Sequence, residues 1–165
     1  MNETDQAGTA EKKLEGIGGW LILVAIGLCV SPIKIGVGLV RDVLPAFSGG
    51  VWEKLTTAGS PAYDPLWAPL LIMEMVGNII FILFPLAILF FFFTKKRSTP
   101  LLVIIFLLSN LAFVVADYVV AMRIPVVASM PDESTPVEII RVAIACAIWV
   151  PYFLKSKRVR NTFVK

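Results

Sequence analysis

Four ionisable residues stand inside stretches that are otherwise apolar: Lys34, Glu74, Asp117 and Arg141. A charge near the centre of a bilayer costs at least about 2.5–3.5 kcal/mol, so such side chains face inward, pair with one another, or mark a ligand or proton site. Spacing supplies each with polar company. Asn78 follows Glu74 by four residues, Asn110 precedes Asp117 by seven, Ser31 precedes Lys34 by three, and Glu138 precedes Arg141 by three. Residues at these separations share one face of a helix. Two cations and two anions at one level predict two neutralised pairs meeting in a polar pocket. Asn78 and Asn110 would be its hydrogen-bonding neighbours, and Tyr63 and Trp67 from the preceding loop would line its entrance.

Two readings of this cluster compete. In one, the charges only hold helices together, a modest role because desolvation offsets the attraction of a buried pair. In the other, they bind a small ligand, a lipid headgroup or a proton. Snorkelling of Lys34 and Arg141 to the headgroups is a third use of the same residues.

Catalytic chemistry has little to start from. Histidine is absent, which removes the commonest metal ligand and general base; neither a metal site nor a cofactor is expected. Ser31 and Lys34 form a Ser-x-x-Lys pattern without its companion motifs. No G-x-S-x-G, H-E-x-x-H or phosphate-binding glycine loop is present. No residue is nominated as catalytic, and the reading leans away from an enzyme. Cys29 and Cys146 both fall in apolar stretches and read as small packing residues rather than a disulfide.

The elements that must carry these residues follow from composition. Of 165 residues, 58% are apolar and 16% charged, against about 45–50% and about 25% in ordinary globular chains. So small a core cannot hide that much apolar surface, and lipid must be part of the solvent. Four segments have the length of a helical span: 17–40, 70–93, 100–122 and 137–154. Backbone groups in hydrocarbon must be paired within the segment, which predicts an all-α, integral membrane four-helix bundle over 16–154. Residues 1–15 read as a polar tail without the basic start of a cleavable signal. Loops are expected over 41–69 and 123–136, with a short interfacial helix near 51–57, and a basic tail over 155–165. Gly16, Gly18, Gly19, Gly27, Gly36 and Gly38 let the first helix pack closely, while Pro32 and Pro85 release backbone carbonyls and kink their helices.

Orientation follows from basic residues near the span ends. Lys12, Lys13, Lys95, Lys96, Arg97, Lys155, Lys157, Arg158, Arg160 and Lys165 fall on one side, and Arg41, Lys54 and Arg123 on the other. The richer side is cytoplasmic by the positive-inside rule, which places both termini inside. From the helical rise, each of the four charges lies roughly 8–11 Å toward the external side of its own span's middle. Lys155, Lys157, Arg158 and Arg160, just past the fourth span, are placed to contact anionic lipid, each contributing about 1 kcal/mol. Without interleaved aromatics they do not suggest nucleic acid.

Three stretches carry a resemblance. Gly16-Ile17-Gly18-Gly19-Trp20-Leu21 opens the first span, a Gly59-to-Leu71 run carrying Pro61, Tyr63, Asp64, Pro65, Trp67 and Pro69 leads into the second, and Trp149-Val150-Pro151-Tyr152-Phe153-Leu154-Lys155-Ser156-Lys157-Arg158-Val159 closes the fourth. From about Gly16 to Val164 the chain resembles a family of small bacterial membrane proteins catalogued as domain of unknown function 2569. The resemblance implies a multi-pass protein of the bacterial inner membrane and brings no activity with it. The expected function is therefore non-enzymatic: a polar pocket in the outer half of the bundle that binds a small ligand, a lipid headgroup or a partner membrane protein. The alternatives are an oligomeric transporter component for a small solute or protons, and a membrane enzyme acting on lipid or peptide. The expected partners are the bilayer and either another membrane protein or further copies of this chain.

Overall fold

The structure is a computed structural model that describes residues 15–130 and 134–165; nearly all of the N-terminal tail lies outside them. Helix α1 (Trp20–Gly38) runs on through a π-helical turn at Leu39–Val43 and a 3-10 turn at Leu44–Phe47. It is followed by α2 (Val51–Thr56), α3 (Trp67–Phe93), α4 (Thr99–Ala121), α5 (Pro125–Ala128), α6 (Ser134–Lys155) and α7 (Lys157–Thr162). Among the described residues, α1 with its extension, α3, α4 and α6 are long and apolar enough to cross a membrane. Even the shortest, 22 residues, measures about 33 Å at 1.5 Å per residue, against a hydrocarbon core of about 30 Å.

Side-chain direction explains the bundle. Along α1 the buried residues are Leu21, Val24, Leu28 and Pro32, spaced three and four apart, so one narrow stripe faces the protein. Ile22, Ile26, Ile33 and Val37 point outward and are about half exposed or more, as are Phe90 and Phe93 of α3. An apolar belt of this extent belongs against lipid chains, not water. Cys29, one residue past the inward Leu28, is exposed, whereas Cys146 is buried with its thiol donating to the Leu107 carbonyl at 3.3 Å. Of the two cysteines expected to pack, only Cys146 does.

Neighbours follow chain order. α1 packs on α3, α3 on α4 and α4 on α6, an arc whose two ends, α1 and α6, meet mainly at their extremities. The core lies toward the end where Trp20 begins α1 and Lys165 ends the chain, built around Leu21, Leu28, Ile88, Phe92, Val103, Phe106 and Phe153.

The same end is closed by α7. Its Ser156 N-cap accepts a hydrogen bond from the Val159 amide, satisfying an otherwise unpaired donor of the first turn. Val159, Thr162 and Phe163 are buried, and the Phe163 ring lies 5.2 Å from that of Phe92. The Thr162 hydroxyl donates to the Gly16 carbonyl at 3.1 Å, and the Arg97 amide donates to the Lys165 carbonyl at 2.7 Å. Residues 155–165 thus form no free tail. Val159 and Phe163, four apart, give the segment an apolar face to bury. At the far end the expected short helix is present as α2, held by a stack of Phe47 on Trp52 at 5.0 Å, and Asp64 caps the approach to α3 by accepting from the Leu66 amide at 2.9 Å.

Candidate functional site

Two clasps join α1 to α6. At the end where α1 begins, Trp20 meets Trp149 edge to face with ring centroids 5.9 Å apart. Toward the far end, the Lys34 ammonium donates to Glu138 Oε1 at 2.7 Å. Between the clasps the helices stand apart, leaving a cavity of about 540 Å³. Gly27 and Ser31 line one side, Val142 and Ala145 the other, and Phe81, Phe106 and Phe113 form the floor. No atom lies within 4 Å of where a side chain on Gly27 would begin. Leu23 and Val30, at the rim, are more than half exposed, so the cavity opens sideways as a groove. Fourteen residues separate Trp20 from Lys34 and eleven separate Glu138 from Trp149, giving the groove a length of about 16–21 Å. That is close to the thickness of one leaflet's hydrocarbon, half of about 30 Å.

The polar end of the groove has a definite charge balance. Glu138 gives one carboxylate oxygen to Lys34 and the other to Arg141, whose Nη1 lies 2.8 Å away. Two cations on one carboxylate leave a surplus of one positive charge. The cations are the outer members: their side chains are 59% and 65% exposed, against 34% for Glu138. Three residues before Lys34, the Ser31 hydroxyl is buried without a hydrogen-bond partner, and Asn78 and Asn110 also line the groove.

Glu74 and Asp117 are elsewhere. Their side chains face each other across the α3–α4 seam and line a second cavity of about 350 Å³ with Tyr118, Met122 and Thr135. Among the described residues no ion pair reaches either carboxyl group. Two carboxyl groups so placed repel when both are ionised, an arrangement that a proton or a cation relieves.

The expected convergence of Lys34, Glu74, Asp117 and Arg141 into two cation–anion pairs is therefore corrected. Both cations go to Glu138, and the two acids go to each other. The division falls at Gly77, which lies between Glu74 and Asn78. Phe113, which lies between Asn110 and Asp117, seats its ring against the Gly77 backbone where a Cβ would stand. Phe113 lines the groove with both amides, whereas the two acids line the second cavity. Glu138 was visible in the sequence only as a residue three before Arg141; its central position depends on α6 lying beside α1.

Tyr63 and Trp67 line neither cavity. Trp67 begins α3, and the groove-facing Asn78 lies eleven residues further, about 16 Å along the axis. Of the basic residues after the fourth span, Lys155, Lys157 and Arg160 are exposed, whereas Arg158 is half-buried with its guanidinium against Gly18.

Residues 14–164 match the family described as Protein of unknown function (DUF2569). No curated protein and no solved structure is detectably similar.

Proposed function

This chain belongs to the DUF2569 family of proteins of unknown function, and from that premise we propose that it is a non-enzymatic membrane protein that holds one amphiphilic lipid in the groove between α1 and α6. The observation that carries this reading is the separation of two helices that touch at an ionic clasp and an aromatic clasp, with an apolar, sideways-open cavity between them. The groove's volume of about 540 Å³ falls in the usual range for ligand sites, roughly 300–1,000 Å³. Its length suits an acyl chain, and the Lys34–Glu138–Arg141 cluster closes its outer end, where the polar part of the lipid meets it. Lipid chains fill such a gap at little cost, since helices in a bilayer gain nothing from hydrophobic exclusion by closing it.

Gly27→Phe tests the reading, because Gly27 lines the groove and its first side-chain atom would meet nothing within 4 Å, which leaves the ring directed into the space the lipid would take. Native mass spectrometry of protein released from membranes is expected to find one lipid adduct on the wild type. The variant is expected to lose it by roughly tenfold or more, equivalent to about 1.4 kcal/mol, at unchanged melting temperature. An equally abundant adduct on Gly27→Phe contradicts the reading.

The same proposal places the protein in a bacterial inner membrane with both termini in the cytoplasm and the ionic clasp toward the outside. Its support is the excess of basic residues at the end where Lys165 ends the chain. Lys155, Lys157 and Arg160 there contact anionic lipid. A reporter that is active only when exported, fused after Lys165, is expected to stay inactive; activity there overturns the orientation.

A further inference from the structure

We propose that the groove selects a phospholipid whose headgroup carries a net negative charge, and that Glu138 sets this selectivity by gathering, and half neutralising, the two cations that the headgroup phosphate engages. The inference rests on the reading of the groove as a lipid site and adds the class of lipid.

The geometry is that of one carboxylate gathering two donors. Each carboxylate oxygen of Glu138 receives one cation, Lys34 at 2.7 Å and Arg141 at 2.8 Å. A phosphodiester offers the same pair of charged acceptor oxygens to the same two donors, and charge-assisted bonds of this kind are the stronger class. Arginine in particular matches phosphate geometry. The two cations extend beyond the carboxylate, 59% and 65% exposed against 34%, so they can turn outward to a headgroup while Glu138 stays behind them.

Charge decides the class of headgroup. Lys34 and Arg141 against Glu138 leave one positive charge at a membrane depth where uncompensated charge is costly. The nearby Arg41 and Asp42 pair with each other at 3.8 Å and cancel, and Glu74 and Asp117 face the other cavity. An anionic headgroup neutralises the surplus; a zwitterionic one brings no net charge to do so.

The test places the protein in nanodiscs of equal phosphatidylglycerol and phosphatidylcholine and counts the retained lipid of each kind by native mass spectrometry. With about 1 kcal/mol per unit of surplus charge, the wild type is expected to prefer phosphatidylglycerol about fivefold. Lys34→Ala or Arg141→Ala, which cancel the surplus, are expected to bring the preference near parity. Glu138→Gln, which raises the surplus to two, is expected to increase it to about 25-fold. Equal retention of both lipids by the wild type, or a lower preference in Glu138→Gln, overturns the proposal. Gly27→Phe in the same nanodiscs separates the two levels of inference. If it evicts both lipids while the charge variants leave the preference unmoved, the headgroup assignment alone fails; if it evicts neither, the groove reading fails with it. Circular dichroism and melting temperature confirm that each variant is folded.

Discussion

The α3–α4 seam and the α1–α6 seam are both built around a glycine, and they end up opposite in character. At Gly77 the missing side chain is replaced by the ring of Phe113 from the facing helix. The seam continues through Phe81 against Phe113 at 5.2 Å, and Phe84 against Phe106 at 5.7 Å. At Gly27 nothing from the protein takes the vacant space, and opposite it stand Val142 and Ala145 rather than a ring. In a membrane, small residues bring helices together only when the partner surface has a shape that fills them; otherwise lipid does. The charges follow the same division. In the packed seam Glu74 and Asp117 face each other beside the second cavity, and in the open seam Glu138 gathers two cations.

One substitution placed in each seam sharpens the contrast. Gly77→Ala is expected to destabilise the protein by about 1–3 kcal/mol, the usual cost of overpacking, because the new methyl group strikes Phe113. Glu138→Ala, which leaves Lys34 and Arg141 side by side without their shared carboxylate, is expected to cost about 0.6 kcal/mol and no more than about 1.7. Gly27→Ala is expected to fall within about 0.5 kcal/mol of the wild type. Unfolding in mixed micelles, followed by circular dichroism, checks the series. If Gly27→Ala proves as damaging as Gly77→Ala, the open seam is closed in solution and the comparison fails.

What the sequence disclosed divides along physical lines. The four spans were legible because length and hydropathy are local properties, and the π-helical and 3-10 extension of α1 to Phe47 merely lengthens what the apolar run 17–40 announces. The polar faces were legible in part: Ser31, Asn78 and Asn110 do line one groove with Lys34 and Arg141. Which charge meets which was not legible, because it depends on helix adjacency. Nothing in the spacing of Glu74, Gly77 and Asn78 reveals that Phe113 will sit among them. The packing of residues 155–165 was not legible because their five basic residues, Lys155, Lys157, Arg158, Arg160 and Lys165, outweigh Val159 and Phe163 to the eye, although those two buried apolar residues determine where the segment packs.

The account depends most on a lipid chain lying between α1 and α6, and Trp149 is placed to detect it, since it lines the groove beside the aromatic clasp. Trp20→Phe, Trp52→Phe and Trp67→Phe together leave Trp149 as the only indole. In bilayers containing phospholipid brominated along its acyl chains, Trp149 emission is expected to be strongly quenched, and adding Gly27→Phe is expected to restore much of it. Quenching that is the same with and without Gly27→Phe would contradict a lipid in the groove.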